Sequence, residues 1–130
     1  MPQPVPTPSV RALGPYSTAV RAGDWVVCAG QVGVDPATGE LVGPALADQV
    51  RQALANTAAV LADAGCGWEH VAKATLFVAT ESPQPMAEVN EIYAEVLGEH
   101  RPARSTVGVS WLPARALFEI EVWAHKPEGA

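Results

Sequence analysis

The sequence predicts an α+β domain in which two helices pack on one face of a β-sheet. Two apolar stripes at helical spacing lie over residues 46–64 and in a second segment that begins near Ser82-Pro83. Strand-prone runs surround them in the order β-β-α-β-α-β-β. Two helices can cover only one face of such a sheet.

The chain's 130 residues fit one domain. Residues 1–13 read as a Pro-rich tail, 14–126 as the domain and 127–130 as a short C-terminal tail. A hydrophobic content of 48% with 17% charged residues excludes a disordered chain. The net charge is −6 and the pI is near 4.9, which excludes a basic nucleic-acid footprint and an anionic membrane partner. An anionic ligand must therefore meet a local cation. The proline-rich start lacks the apolar core of a signal peptide, and the expected location is the cytoplasm.

The alternate prolines Pro2, Pro4, Pro6 and Pro8 predict an extended tail. Residues 17–20 and 25–31 are β-prone around Arg21-Ala22-Gly23-Asp24, which suggests a hairpin with four connecting residues. Asp35-Pro36-Ala37-Thr38-Gly39 is turn chemistry. In the first helix Leu46, Val50, Leu54, Thr57 and Leu61 form one stripe, and Gly65 suits the left-handed position after its last turn. Residues 71–78 form a strand with Ala72, Ala74, Leu76 and Val78 on one face. The second helix has Ser82 as N-cap and Pro83 at its first position. Its stripe is Val89, Ile92, Tyr93, Val96 and Leu97, and Gly98 stops it. Strands over 104–109 and 117–125 close the domain, with a turn at Pro113.

Alternation in the last strand places Phe118, Ile120, Val122 and Ala124 under the helices. Glu119, Glu121, Trp123 and His125 take the other face, and Trp25 and Val27 add apolar area to it. If Val107 and Val109 face the helices, Arg104 points to the same side as Glu119 and Glu121. Such a half-polar, half-aromatic face suggests burial against other subunits. The plain alternative for Arg104 and the glutamates is a cross-strand ion pair.

Other chemistry finds little support. His70, His100 and His125 lack metal-ligand spacing, and no phosphate loop with its lysine is present. Cys28 and Cys66 read as free thiols, with a single disulfide between them as the alternative.

Six stretches, in this order and spacing, resemble one family. They are Gly14-Pro15-Tyr16-Ser17, Ala29-Gly30-Gln31-Val32, Asp35-Pro36-Ala37-Thr38-Gly39-Glu40, Val89-Asn90-Glu91-Ile92-Tyr93, Arg101-Pro102-Ala103-Arg104-Ser105 and Phe118-Glu119-Ile120-Glu121. The chain resembles the reactive-intermediate deaminases, also called the RidA, YjgF or UK114 family, from residue 14 to about residue 125. The resemblance implies a chorismate-mutase-like (YjgF-like) mixed β-sheet and a homotrimer with sites between subunits. It also implies hydrolysis of 2-imino or 2-enamino acids, such as 2-iminopropanoate and 2-iminobutanoate, to 2-keto acids and ammonia. No metal or organic cofactor is expected.

By that resemblance Arg104 holds the substrate carboxylate, a role suited to a planar, permanently charged guanidinium. Glu119 matches the glutamate that positions or activates water, with Glu121 two residues away on the same face. Tyr16 matches a tyrosine at the site edge, with a packing tyrosine as the alternative; Gly30 matches a close backbone approach, with a bulge as the alternative; and Asn90 matches a helix residue that supports the site. The Thr106 backbone is a further substrate contact. Ala29 and Thr106 depart from the Ser and Cys that many relatives carry. Two other functions fit the same scaffold: an enamine deaminase of a sister subgroup, and a non-enzymatic trimer that binds small carboxylates.

Overall fold

The computed structural model describes residues 1–79 and 85–130. The Ser82-Pro83 cap therefore lies outside the described residues. The strands are β1 (Gln3–Pro4), β2 (Ala19–Ala22), β3 (Trp25–Cys28), β4 (Gln31–Val32), β5 (Val71–Ala79), β6 (Ala103–Val109) and β7 (Phe118–His125). The helices are α1 (Leu46–Asp63) and α2 (Met86–Leu97). Short 3-10 turns at Trp68–His70 and Pro113–Arg115 lead into β5 and β7. The sheet order is β1-β2-β3-β7-β5-β6, with β4 also paired to β7. The β5–β6 pair is parallel and every other pair antiparallel, so the sheet is mixed.

Apolar burial explains why the elements form. All five residues of the α1 stripe are buried, against the β7 row of Phe118, Ile120, Val122 and Ala124. Gly65 has φ +79°, where the missing Cβ removes the steric penalty. The backbone N–H of Cys66 donates to Leu61 O across this turn. The proline segment does more than extend: β1 pairs with β2, and Val10 joins the main core. Ser9 anchors it by donating from N and Oγ to Asp63, at 3.0 and 2.9 Å. Cys28 and Cys66 are free and buried, and burial pushes the Cys28 thiol up to about 12.

Several expected positions differ. The hairpin connection is only Gly23 and Asp24, because Ala22 already pairs with Trp25. The run 25–31 is interrupted: four steps from Val27 to Gln31 face three from Trp123 to Ile120. That extra residue is a bulge at Ala29–Gly30. On β5 a register shift between Val71 and Lys73 buries Val71 and leaves Ala72 exposed. On α2, Val96 lies outside the buried stripe of Val89, Ile92, Tyr93 and Leu97.

The largest correction concerns β6. Residues paired across a ladder point to the same face. Arg104 and Thr106 pair with Ala74 and Leu76, whose side chains are buried under the helices. Ser105 and Val107 pair with Thr75 and Phe77, which also pair with Glu121 and Glu119. Arg104 is therefore on the helix face, and Glu119 and Glu121 are on the open face. The valines misled because the open face has an apolar patch of its own. Val32, Val34, Leu112 and Ala116 form a second small core there, joined by Phe77 and Val109.

Two buried amides of α1 hold the walls of this second core. Asn56 Nδ2 donates to Val32 O and Val34 O at 3.1 and 2.8 Å. Gln49 donates to Gly43 O and accepts from Leu117 N, each at 2.8 Å. Between these anchors Gly33 presses on α1, and a Cβ there would lie 2.5 Å from Gln49 O. Backbone cannot yield as a flexible side chain can. Gly33→Ala is expected to destabilise the fold by roughly 1–3 kcal/mol in urea unfolding. An unchanged midpoint would contradict this account of the α1–β4 contact.

Candidate functional site

The six sequence-predicted site residues fall into two groups. Tyr16, Gly30 and Glu119 line one cleft together with Arg11, Val34 and Pro113. Arg104, Asn90 and Thr106 lie at the β6 edge of the helix face. No single chain brings Arg104 and Glu119 to one ligand, because the sheet separates them.

The cleft is built by the bulge and the second core. β7 delivers Glu119 to the open face opposite Val32. Gly30 then lets the carboxylate lie against the backbone: a Cβ on Gly30 would be 2.5 Å from Glu119 Oε2. Tyr16 closes one side, with its hydroxyl accepting from Leu13 N at 3.1 Å and its ring half-exposed. The cleft encloses about 30 Å³, room for water beside the carboxylate. Burial raises the Glu119 carboxyl above the ordinary carboxylate value of 4.5, and the neighbouring Glu121 charge adds to the rise. Among the described residues no donor hydrogen-bonds to the Glu119 carboxylate. The result is a carboxylate suited to accept a proton from water.

The second group presents a cation. Arg104 Nη2 donates to Asn90 Oδ1 at 2.8 Å, and its Cζ lies 4.9 Å from the centre of the Tyr93 ring. Among the described residues Arg104 has no carboxylate partner, so the expected alternative of a cross-strand ion pair does not form. Thr106, two residues along, shares its face and is exposed.

Two residues escaped the sequence reading. Arg11 lies in the segment predicted as tail, yet lines the Glu119 cleft. Tyr93 was assigned to the core stripe, which it joins, but its ring also meets Arg104. The three-residue spacing from Asn90 was the available signal. Two of the histidines bind backbone: His70 Nδ1 accepts from Gly67 N at 2.9 Å, and His100 Nε2 is 2.8 Å from Val71 O.

Comparison with known proteins now decides the family. The family model described as Endoribonuclease L-PSP matches residues 7–126. A RutC family protein of Pyrococcus horikoshii is 44% identical over 116 residues, 89% of this chain and 90% of its own. The chain belongs to the reactive-intermediate deaminase (RidA/YjgF) family. The human 2-iminobutanoate/2-iminopropanoate deaminase is 38% identical over 113 residues, 87% of this chain and 81% of its own. The crystal structure of E. coli TdcF with bound serine matches with a TM-score of 0.87 at 34% identity, covering 95% of this chain and 98% of that one. This Rid-family chain thus has the expected chorismate-mutase-like sheet with two helices on one face.

Two predictions follow from the Glu119 cleft. Gly30→Ala displaces a flexible side-chain end, so the melting temperature should barely move. Any activity that depends on the Glu119 carboxylate should fall by about 10²-fold, the scale expected for an ångström of misplacement. Equal loss of stability and activity would refute this reading. Because folding raises the Glu119 pKa, its ionisation destabilises the fold as pH rises from the unfolded carboxyl value upward. Glu119→Gln should therefore melt higher than the unmodified protein at pH 7, with the gain vanishing below about pH 4. A lower melting temperature at pH 7 would show that the carboxylate is stabilised rather than desolvated.

Proposed function

We propose that this Rid-family protein is a cofactor-independent deaminase that hydrolyses 2-imino and 2-enamino acids, with 2-iminopropanoate and 2-iminobutanoate as its substrates. Each site lies between two subunits of a homotrimer. One subunit supplies Arg104, Asn90 and Thr106, and its neighbour supplies Tyr16, Gly30 and Glu119.

The observation that carries the reading is the division of the site. A guanidinium without a carboxylate partner and a half-buried carboxylate without a donor stand on opposite faces of one sheet. Each lacks what the other offers to a ligand that is anionic at one end and adds water at the other. The activity named for the human relative, 2-iminobutanoate/2-iminopropanoate deaminase, supports the substrate class. Serine bound to the E. coli relative supports a small acid in the cleft. The exposed Trp25, Val107 and Trp123 on the open face give a second copy an apolar surface to cover.

In the reaction Arg104 pairs with the substrate carboxylate and fixes C2 of the imine beside Glu119. Glu119 takes a proton from water as its oxygen bonds to C2, and the C=N π electrons move to nitrogen. The proton passes from Glu119 to that nitrogen. The hydroxyl proton then passes by way of Glu119 to the nitrogen as the C–N bond breaks and the C=O bond forms, which releases 2-keto acid and ammonia. Such proton transfer is typically worth ~10²–10⁴ in rate. RNA cleavage, which the family name Endoribonuclease L-PSP evokes, fits poorly with a net charge of −6.

An imine-trapping assay tests the proposal. An amino-acid oxidase generates the imines, and semicarbazide competes for them. The wild type should suppress semicarbazone formation, and Arg104→Ala and Glu119→Gln should each match the blank. Co-expressing the two inactive variants should restore about a quarter of the sites, since each site draws one residue from each of two subunits. A wild type equal to the blank overturns the activity. Two active variants overturn the residue roles, and absence of complementation overturns the shared site.

A further inference from the structure

Tyr93 packs in the main core, yet it also makes a contact that core packing does not require. It is 5% exposed, and among the described residues its hydroxyl is the one buried side-chain polar atom without a hydrogen-bond partner. What the residue does offer is the face of its ring. The Arg104 guanidinium carbon lies 4.9 Å from the ring centre, within the range of a cation–π contact. Burial raises the phenol pKa, offset in part by the charges of Arg104 and Arg101, so the ring stays neutral at ordinary pH.

Asn90 and Tyr93 are three residues apart on α2 and so share one side of the helix. The 2.8 Å bond to Asn90 Oδ1 fixes one end of the guanidinium. That bond alone leaves the group free to swing about its contact. The ring removes the freedom by supporting the group from below. Because Asn90 takes only Nη2, the remaining N–H groups of Arg104 are left without partners among the described residues.

We propose that Tyr93 is a positioning residue for Arg104, its ring serving as the platform that, with Asn90, aims the guanidinium at the substrate carboxylate. This inference rests on the carboxylate-anchor role of Arg104 proposed above. Tyr93 is buried and presents its ring face to Arg104, so it acts without touching substrate. It acts through Arg104 alone, and the ring rather than the hydroxyl carries the effect.

The test measures the dissociation constant of the stable product analogue 2-oxobutanoate by calorimetry on the assembled protein. Arg104→Ala establishes the anchor. Tyr93→Leu should weaken binding by about five- to tenfold, the range a cation–π contact covers. Tyr93→Phe should recover most of that affinity, because it keeps the ring. In the Arg104→Ala background Tyr93→Leu should add nothing further. The side-chain protons of Arg104 should also show an upfield ring-current shift that Tyr93→Phe preserves. This reading stands even if Tyr93→Leu folds poorly.

If Arg104→Ala binds 2-oxobutanoate like the wild type, the anchor reading fails and takes this inference with it. If Arg104→Ala weakens binding but Tyr93→Leu does not, the platform alone is refuted. Equal losses for Phe and Leu, or unshifted Arg104 protons, refute it too.

Discussion

The parallel pairing of β6 with β5 is the constraint on which the site depends. It sets Arg104 in register with Ala74 and Ser105 with Thr75, and so decides which face each side chain takes. A slip of one residue would exchange the faces and carry Arg104 to the side of Glu119. The burial of Ala74, Leu76 and Val78 fixes which face of β5 turns to the helices, and the β5–β6 register then sets the facing of β6. β6 has no such pressure of its own: it is an edge strand and mostly exposed. Its register is imposed by its neighbour.

The same economy of position governs the Glu119 cleft. The Asn56 and Gln49 amides of α1 reach through to the backbone around β4 and before β7. They tie the second core to the main one. The bulge at Ala29–Gly30 then turns the chain so that Gly30 meets the carboxylate. Packing that stabilises the domain thus desolvates Glu119, which raises its proton affinity. Stability is given up at this one position, and the helix amides beneath it supply a rigid support.

Charge follows a matching logic. A chain of net charge −6 repels small acids at long range, so affinity for one must be local. Arg104 meets that requirement by standing on a neutral ring and a neutral amide instead of a carboxylate. Neither support cancels its charge. An ion pair at the same place would hold the arginine as firmly and leave less charge for a ligand.

The sequence by itself determined the two helices, the order of the main strands and the inward rows of α1 and β7. These are long periodic patterns, and burial of one face leaves them a single solution. It also marked Arg104, Glu119, Tyr16, Gly30, Asn90 and Thr106 through their motifs. Only the tertiary structure decided that these residues divide between two faces. β6 puts Val107 and Val109 on one face and Arg104 and Thr106 on the other, but both faces of the sheet bury apolar side chains, so alternation alone cannot say which face is which, and pairing with β5 must. The bulge near Ala72 was equally hidden, since one extra residue leaves the apolar pattern of a short strand almost unchanged, whereas at Gly30 the sequence offered a bulge or a close backbone approach and the structure has both. The role of Tyr93 was hidden for a related reason. Helical spacing shows that a tyrosine is buried, but which side chain lies on its ring depends on a strand that pairs only once the sheet has formed.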